Sequence, residues 1–225
     1  MRNTPAGAYS LLCILCFALL PSVSQAQAPN AWVNELHYDN EGGDEGEFVE
    51  VVVQNAGSYT LSNFEVLHYN GADGDPDAAS PVTLDEFSEG TTSEGFTLFS
   101  YNYTANGETL QNGAPDGIAL CHNGSLVQFL SYEGSFEASG GCADGVTSTD
   151  IGVEETGDTP IGYSLQLTGS SAAYPGFSWS GPSPDSPGDL NSGQALLSSP
   201  IVSVGGRQST VDEGGPPVGV PLERI

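Results

Sequence analysis

The sequence predicts an all-β sandwich, and three observations lead there. Helix signals are nearly absent: no segment of the mature chain carries apolar residues at helical spacing over three turns without Gly or Pro interrupting. Punctuation is dense, with 30 Gly and 15 Pro in 225 residues. Between the breaks lie short stretches rich in β-branched and aromatic residues, and many such stretches between turns indicate stacked sheets.

The strands follow in order. Residues 31–37 hold Trp32, Val33 and Leu36, and 47–54 hold Phe48 with Val49, Val51, Val52 and Val53. Residues 61–69 hold Phe64, Val66 and Leu67, and 95–101 hold Phe96, Leu98 and Phe99. Further strands are expected at 116–121, 125–132, 162–168 and 176–180. In 47–54, Glu47, Val49, Val51 and Val53 share one face, while Phe48, Glu50 and Val52 share the other. Both faces are largely apolar, so this strand is expected to be central and buried. Residues 70–80 read as an acidic, turn-rich loop, and 133–161 as a long excursion.

The ends read differently from the middle. Arg2, the apolar run Ser10 to Leu20 and small residues up to Ala28 form a secretory signal peptide, expected over 1–28. Residues 29–195 then suit one domain, and 196–225, rich in Ser, Gly and Pro, read as a disordered tail. The mature form carries no stretch suited to a membrane span, so the product is expected to be secreted and extracellular. Cys13 and Cys16 fall in the leader, which leaves Cys121 and Cys142. In an oxidising compartment they are expected to pair, closing a loop worth roughly 3 kcal/mol in the chain-entropy account.

Charge narrows the functions. The chain has 29 acidic residues and three basic ones, Arg2, Arg207 and Arg224, for a formal net charge of -26. Nucleic-acid binding needs basic patches, so this chain alone is not expected to bind nucleic acid. Such a surface attracts cations instead. Enzyme motifs are missing: no G-x-S-x-G, no P-loop and no H-E-x-x-H occurs, and no nucleophile motif surrounds His37, His68 or His122. No catalytic residue is expected.

Several blocks resemble lamin-tail domains of the secreted bacterial type. They are NELHYDNEGGDEGEFVEVVV (34–53), NGAPDGIAL (112–120), VQFLSYEGSF (127–136), GVTSTDIGVEE (145–155), TPIGYSLQLTG (159–169) and FSWSGPSPDSPGDLNSGQ (177–194). The resemblance implies an immunoglobulin-like β-sandwich without catalytic function, serving adhesion or scaffolding toward an extracellular protein or polysaccharide. Related modules are often fused to secreted nucleases of the endonuclease/exonuclease/phosphatase type, and no such domain follows here. The alternative is therefore an accessory targeting domain whose nuclease is absent from this chain.

Candidate chemistry sits in the acids. Asp39, Glu41, Asp44, Glu45, Glu47 and Glu50 form the densest cluster. Ca2+ requires six to eight converging oxygens, which makes Asp39, Asp44, Glu47 and Glu50 the candidate metal ligands and Ca2+ the candidate cofactor. The competing reading is solvated loop acids, with a strand-edge Glu bonded to backbone. Asp73, Asp75 and Asp77 resemble the start of an EF-hand loop, but Ala78 and Leu84 replace the required Gly and Glu. Tyr101, Tyr103, Tyr163, Tyr174 and Trp179 are candidates for exposed carbohydrate-binding aromatics, against a core role.

Overall fold

In the computed structural model, residues 28–77 and 81–198 are described. The expected signal peptide, apart from Ala28, and the tail beyond Ser198 lie outside the described residues. Twelve strands form two sheets: β1 (Ala31–His37), β2 (Phe48–Gln54), β3 (Phe64–Asn70), β4 (Val82–Thr83), β5 (Ser88–Ser93), β6 (Phe96–Asn102), β7 (Asp116–His122), β8 (Ser125–Tyr132), β9 (Thr149–Asp150), β10 (Tyr163–Ser171), β11 (Ser178–Pro184) and β12 (Gln194–Leu196). The first sheet runs β11-β10-β1-β2-β6-β5, with β12 added to β10. The second runs β4-β3-β7-β8-β9. Helical content in the described residues consists of six single-turn 3-10 segments. The immunoglobulin-like sandwich expected from the sequence is the architecture found.

The alternation of side chains builds three apolar layers. Val33, Val49, Val51, Phe64, Val66, Phe99, Ile118 and Leu130 meet between the sheets. The opposite face of the first sheet buries Trp32, Val52, Leu98 and Leu167 under Phe177, Leu190 and Leu196. The opposite face of the second buries Leu67, Tyr69, Ala119 and Phe129 under Phe136 and Ala138 from the long excursion. Each sheet is therefore covered on both sides, which explains why β2 is apolar on both faces.

The excursion is fastened by the disulfide Cys121–Cys142, which ties β7 to the turn at Gly141–Ala143. Gly141, with φ 62, packs so tightly that a Cβ there would meet the Tyr69 hydroxyl, so only glycine fits. The excursion also contains β9, which extends β8 in parallel register at Leu130↔Thr149. Further along the chain, β12 covers Gln194–Leu196. Its pairing with β10 places it in the first sheet.

Four connections gather at one end of the sandwich: 38–47, 71–77, 103–115 and 133–148. The registers Phe48↔Asn102, Asn70↔Asp116 and Asp116↔Tyr132 bring them to the same level within each sheet. Tyr38 stacked on Tyr132, with ring centroids 3.9 Å apart, joins the two sheets at that level.

Candidate functional site

A domain with no Lys or Arg from residue 3 to 206 must satisfy its buried acids by other means. Among the described residues, five carboxylates are buried: Glu35, Glu47, Glu50, Asp116 and Glu155. They fall into three groups.

The first lies on the covered face of the first sheet. Glu35 and Glu50 stand directly opposite each other on β1 and β2. Glu35 accepts hydrogen bonds from Ser164 Oγ at 2.6 Å, the Ser186 N–H at 2.8 Å and Gln166 Nε2 at 3.1 Å. Glu50 accepts from Asn34 Nδ2 at 2.9 Å and the Gly188 N–H at 2.6 Å. The two acids thus hold the strap 185–191 across the sheet. Asn191 fastens its far end, donating to the carbonyls of Asn34 and Leu167 at 3.1 Å. Burial pushes Glu50 up to about 8; the Asn34 bond opposes the rise and the Glu35 charge adds to it. Glu35 is raised by burial against the bonds from Ser164, Ser186 and Gln166.

The second group centres on His37. Its Nδ1 lies 3.0 Å from both oxygens of Glu155, and its Nε2 lies 3.1 Å from Asn40 Oδ1 and from the Glu45 carbonyl. Asn40 directs its Nδ2 to the carbonyls of Glu41 and Gly43, so its Oδ1 is an acceptor. Both ring nitrogens therefore face acceptors, which requires an imidazolium. Burial alone would lower the His37 pKa; the Glu155 carboxylate outweighs it and the net direction is up. His37–Glu155 is the ion pair of the described residues. Glu155 Oε2 also accepts from the N–H groups of Tyr38 at 2.7 Å and Asp39 at 3.1 Å, so the pair fixes the 38–47 loop.

The third group faces the space between the sheets, at the loop-bearing end. Glu47 Oε2 accepts from the Leu110 N–H at 3.0 Å, and Asp116 Oδ1 from the Gly71 N–H at 3.0 Å. Tyr132 donates its hydroxyl to the Gln111 carbonyl. Glu47 Oε1 and Asp116 Oδ2 meet no donor in hydrogen-bonding geometry. Burial pushes Glu47 up to about 7, against the Leu110 bond, with the charge of Asp44 adding to it. It pushes Asp116 up to about 6, against the nearby Gly71 and Gly113 N–H groups. His68, buried with Nε2 unpartnered, is lowered by burial to about 4 and is neutral.

The four candidate metal ligands do not form one site. Glu47 and Glu50 point to opposite faces of β2, one between the sheets and one under the strap. Asp44 is exposed and accepts from Asn112 Nδ2, and Asp39 is half-buried beside it. Among the described residues, no group of three or more His, Cys, Asp or Glu side chains is set to hold a metal ion. Asp73 accepts from the Asp75 N–H, as in an ordinary turn. Asp150 likewise accepts from the Gly152 N–H.

The aromatic candidates also divide. Tyr101 and Tyr103 are buried in the core, which removes them from the outer surface. Tyr163, Tyr174 and Trp179 are half-buried, and the Trp179 indole donates to the Tyr174 hydroxyl at 3.1 Å. A cleft of about 460 Å3, lined by Glu133, Asp150, Val153 and Glu154, opens beside the loop-bearing end.

Glu35 and Glu155 are the groups that sequence reasoning missed. Nothing along the chain marks His37 as needing a carboxylate partner or selects Glu155 over its exposed neighbour Glu154. No family model, curated protein or solved structure matches this chain.

Proposed function

We propose that this chain is a non-catalytic, secreted interaction module of the lamin-tail type, which engages an extracellular protein or polysaccharide through the loops at one end of its sandwich. One observation carries the reading. The buried carboxylates are bonded to backbone N–H groups of the 38–47, 71–77, 110–113 and 185–191 segments, so the acids serve to hold loops in place. The framework presents these loops rigidly, and those at the gathered end expose Glu41, Asp44, Glu45, Asp73, Asp75, Glu137 and Asp144. A fixed acidic rim of this kind selects partners bearing positive charge or bridging cations. The disulfide supports an oxidising destination.

The test is binding of the labelled mature chain to extracellular polysaccharide and to surface proteins from the source. Wild type is compared with D44N/E45Q/D73N/D75N. Saturable binding that the variant loses supports the reading. Equal binding by both proteins rejects the loop end as the contact surface. Turnover of phosphodiesters, phosphomonoesters or glycosides by the purified chain, abolished by a single substitution, rejects the non-catalytic assignment.

A further inference from the structure

At the end of the sandwich away from the gathered loops, the second sheet runs through the register Phe64↔His122 and His122↔Ser125. There the β7–β8 hairpin turns at Asn123 and Gly124, both in the left-handed region with φ 52 and 70. The Asn123 N–H donates to the Asn63 carbonyl at 2.8 Å, which seats the turn against the 55–63 connection. Tyr59 from that connection meets His122 edge to face, with ring centroids 5.4 Å apart. Both rings rest on the fully buried Phe64, at 5.5 and 4.4 Å. The two half-buried rings are thus held in place by a rigid ring beneath them.

A cavity of about 540 Å3 opens between these parts. Its size falls within the range of small-molecule pockets, about 300–1,000 Å3. Tyr59 and His122 give it aromatic surface, Leu126 and Val127 an apolar wall, and the exposed Asn123 and Ser125 an amide and a hydroxyl. Charge sets this cavity apart. The cleft at the loop-bearing end is lined by Glu133, Asp150 and Glu154, whereas no Asp or Glu lines this one. Burial alone lowers the His122 pKa, with no neighbouring charge acting on it, so the imidazole is neutral at pH 7. In a chain of net charge -26, a cavity of this size without a carboxylate selects an uncharged occupant, because an ion would lose water here and gain no counter-charge.

We propose that this cavity binds an uncharged saccharide, with Tyr59 as the aromatic platform and His122, Asn123 and Ser125 as partners for its hydroxyl groups. A hydrocarbon occupant would use the rings and the apolar wall but leave the amide, hydroxyl and imidazole groups idle. A pyranose uses both sets: its C–H face packs on an aromatic ring, and its hydroxyls donate to and accept from the polar side chains. The site lies at the opposite end from the acidic rim and does not depend on it.

The experiment titrates the mature chain calorimetrically with neutral hexasaccharides of β-1,4-glucose, β-1,4-xylose, β-1,4-mannose and α-1,4-glucose, and with hexagalacturonate as the anionic control. Saturable binding of at least one neutral sugar is expected, and none of hexagalacturonate. Y59A removes the platform, and S125W fills the cavity from an exposed position, so that it leaves the core untouched. Each is expected to weaken binding by about tenfold or more while keeping a cooperative melt. D44N/E45Q/D73N/D75N is expected to bind the sugar as wild type does, which separates this site from the loop end. Three results would overturn the proposal: no binding of any neutral hexasaccharide at millimolar concentration, binding that both Y59A and S125W leave intact, or binding lost only in the loop variant.

Discussion

Glu50 offers a sharp test of how this fold tolerates buried acids. It is fully buried under the strap, opposite Glu35, and is pushed up to about 8 from an ordinary 4.5. The sign of the effect follows from proton linkage. Below 4.5 both the folded and unfolded chains hold the proton, and stability is unaffected. From there to about 8 the unfolded chain releases it while the folded chain keeps it, so stability falls as pH rises. The full difference is about 5 kcal/mol, an upper bound that relaxation of the strap reduces. For a domain of this size that corresponds to a loss on the order of 10 °C in melting temperature between pH 5.5 and 8.5. Glu47 and Asp116, raised to about 7 and about 6, titrate in the same interval and add to the wild-type slope, so the difference between wild type and a Glu50 variant is what isolates this group. E50Q cannot ionise and still offers an oxygen to the Gly188 N–H, but it disturbs the Asn34 bond at a cost of about 1 kcal/mol. The variant is therefore expected to melt slightly below wild type at pH 5.5 and well above it at pH 8.5. Paired calorimetric scans at constant ionic strength decide the matter. A difference between variant and wild type that is the same at both pH values would falsify the linkage argument.

Other expectations follow from the same structure. H37A strands the Glu155 carboxylate in the interior and should cost about 3–5 kcal/mol in urea unfolding at pH 6. Raising pH through the elevated His37 pKa removes the same pairing gradually, so the penalty of H37A should shrink at alkaline pH; a constant penalty would show that the imidazole is uncharged throughout. Reducing Cys121–Cys142, or replacing both with Ser, should lower stability by roughly 3 kcal/mol, read as a shift in the urea midpoint. Trp32→Ala empties the layer beneath Phe177 and Leu196 and should cost about 3–5 kcal/mol; a value below 1 kcal/mol would mean that the covering segment collapses into the space.

Much of the framework was legible along the chain. Eight strands were expected and all eight are present, 31–37 and 125–132 with the same bounds. The strands not foreseen lack the signal that alternation provides. β5 reads SEGTTS, without a single apolar residue, and exists because β6 offers it a ladder. β4 and β9 are two residues each, and β12 lies in a polar stretch whose strand character comes from parallel pairing with β10. The candidate site was legible only in part. The period of two already set Glu47 and Glu50 on opposite faces, so their joint role as ligands conflicted with the strand that carries them. Asp116 lies among Asn112, Gly113 and Gly117, residues typical of turns, and only the register with Tyr132 places it between the sheets. His37 and Glu155 are separated by 118 residues, and no local pattern announces a contact of that range.

The order of strands in the first sheet bears on how the chain is made. β1 lies between β2 and β10, and the strap that covers Glu35 and Glu50 comes from residues 185–191. Of the described strands, β1 is made first, and it must therefore wait for residues 163–191 before its second neighbour and its cover arrive. Until then two acids and an apolar face remain in water, and no stable partial domain has a reason to form. Folding of the described residues is in effect deferred until the strap has been made. A domain with that schedule stays open while residues 185–191 are missing, and it closes only when that clasp is in place.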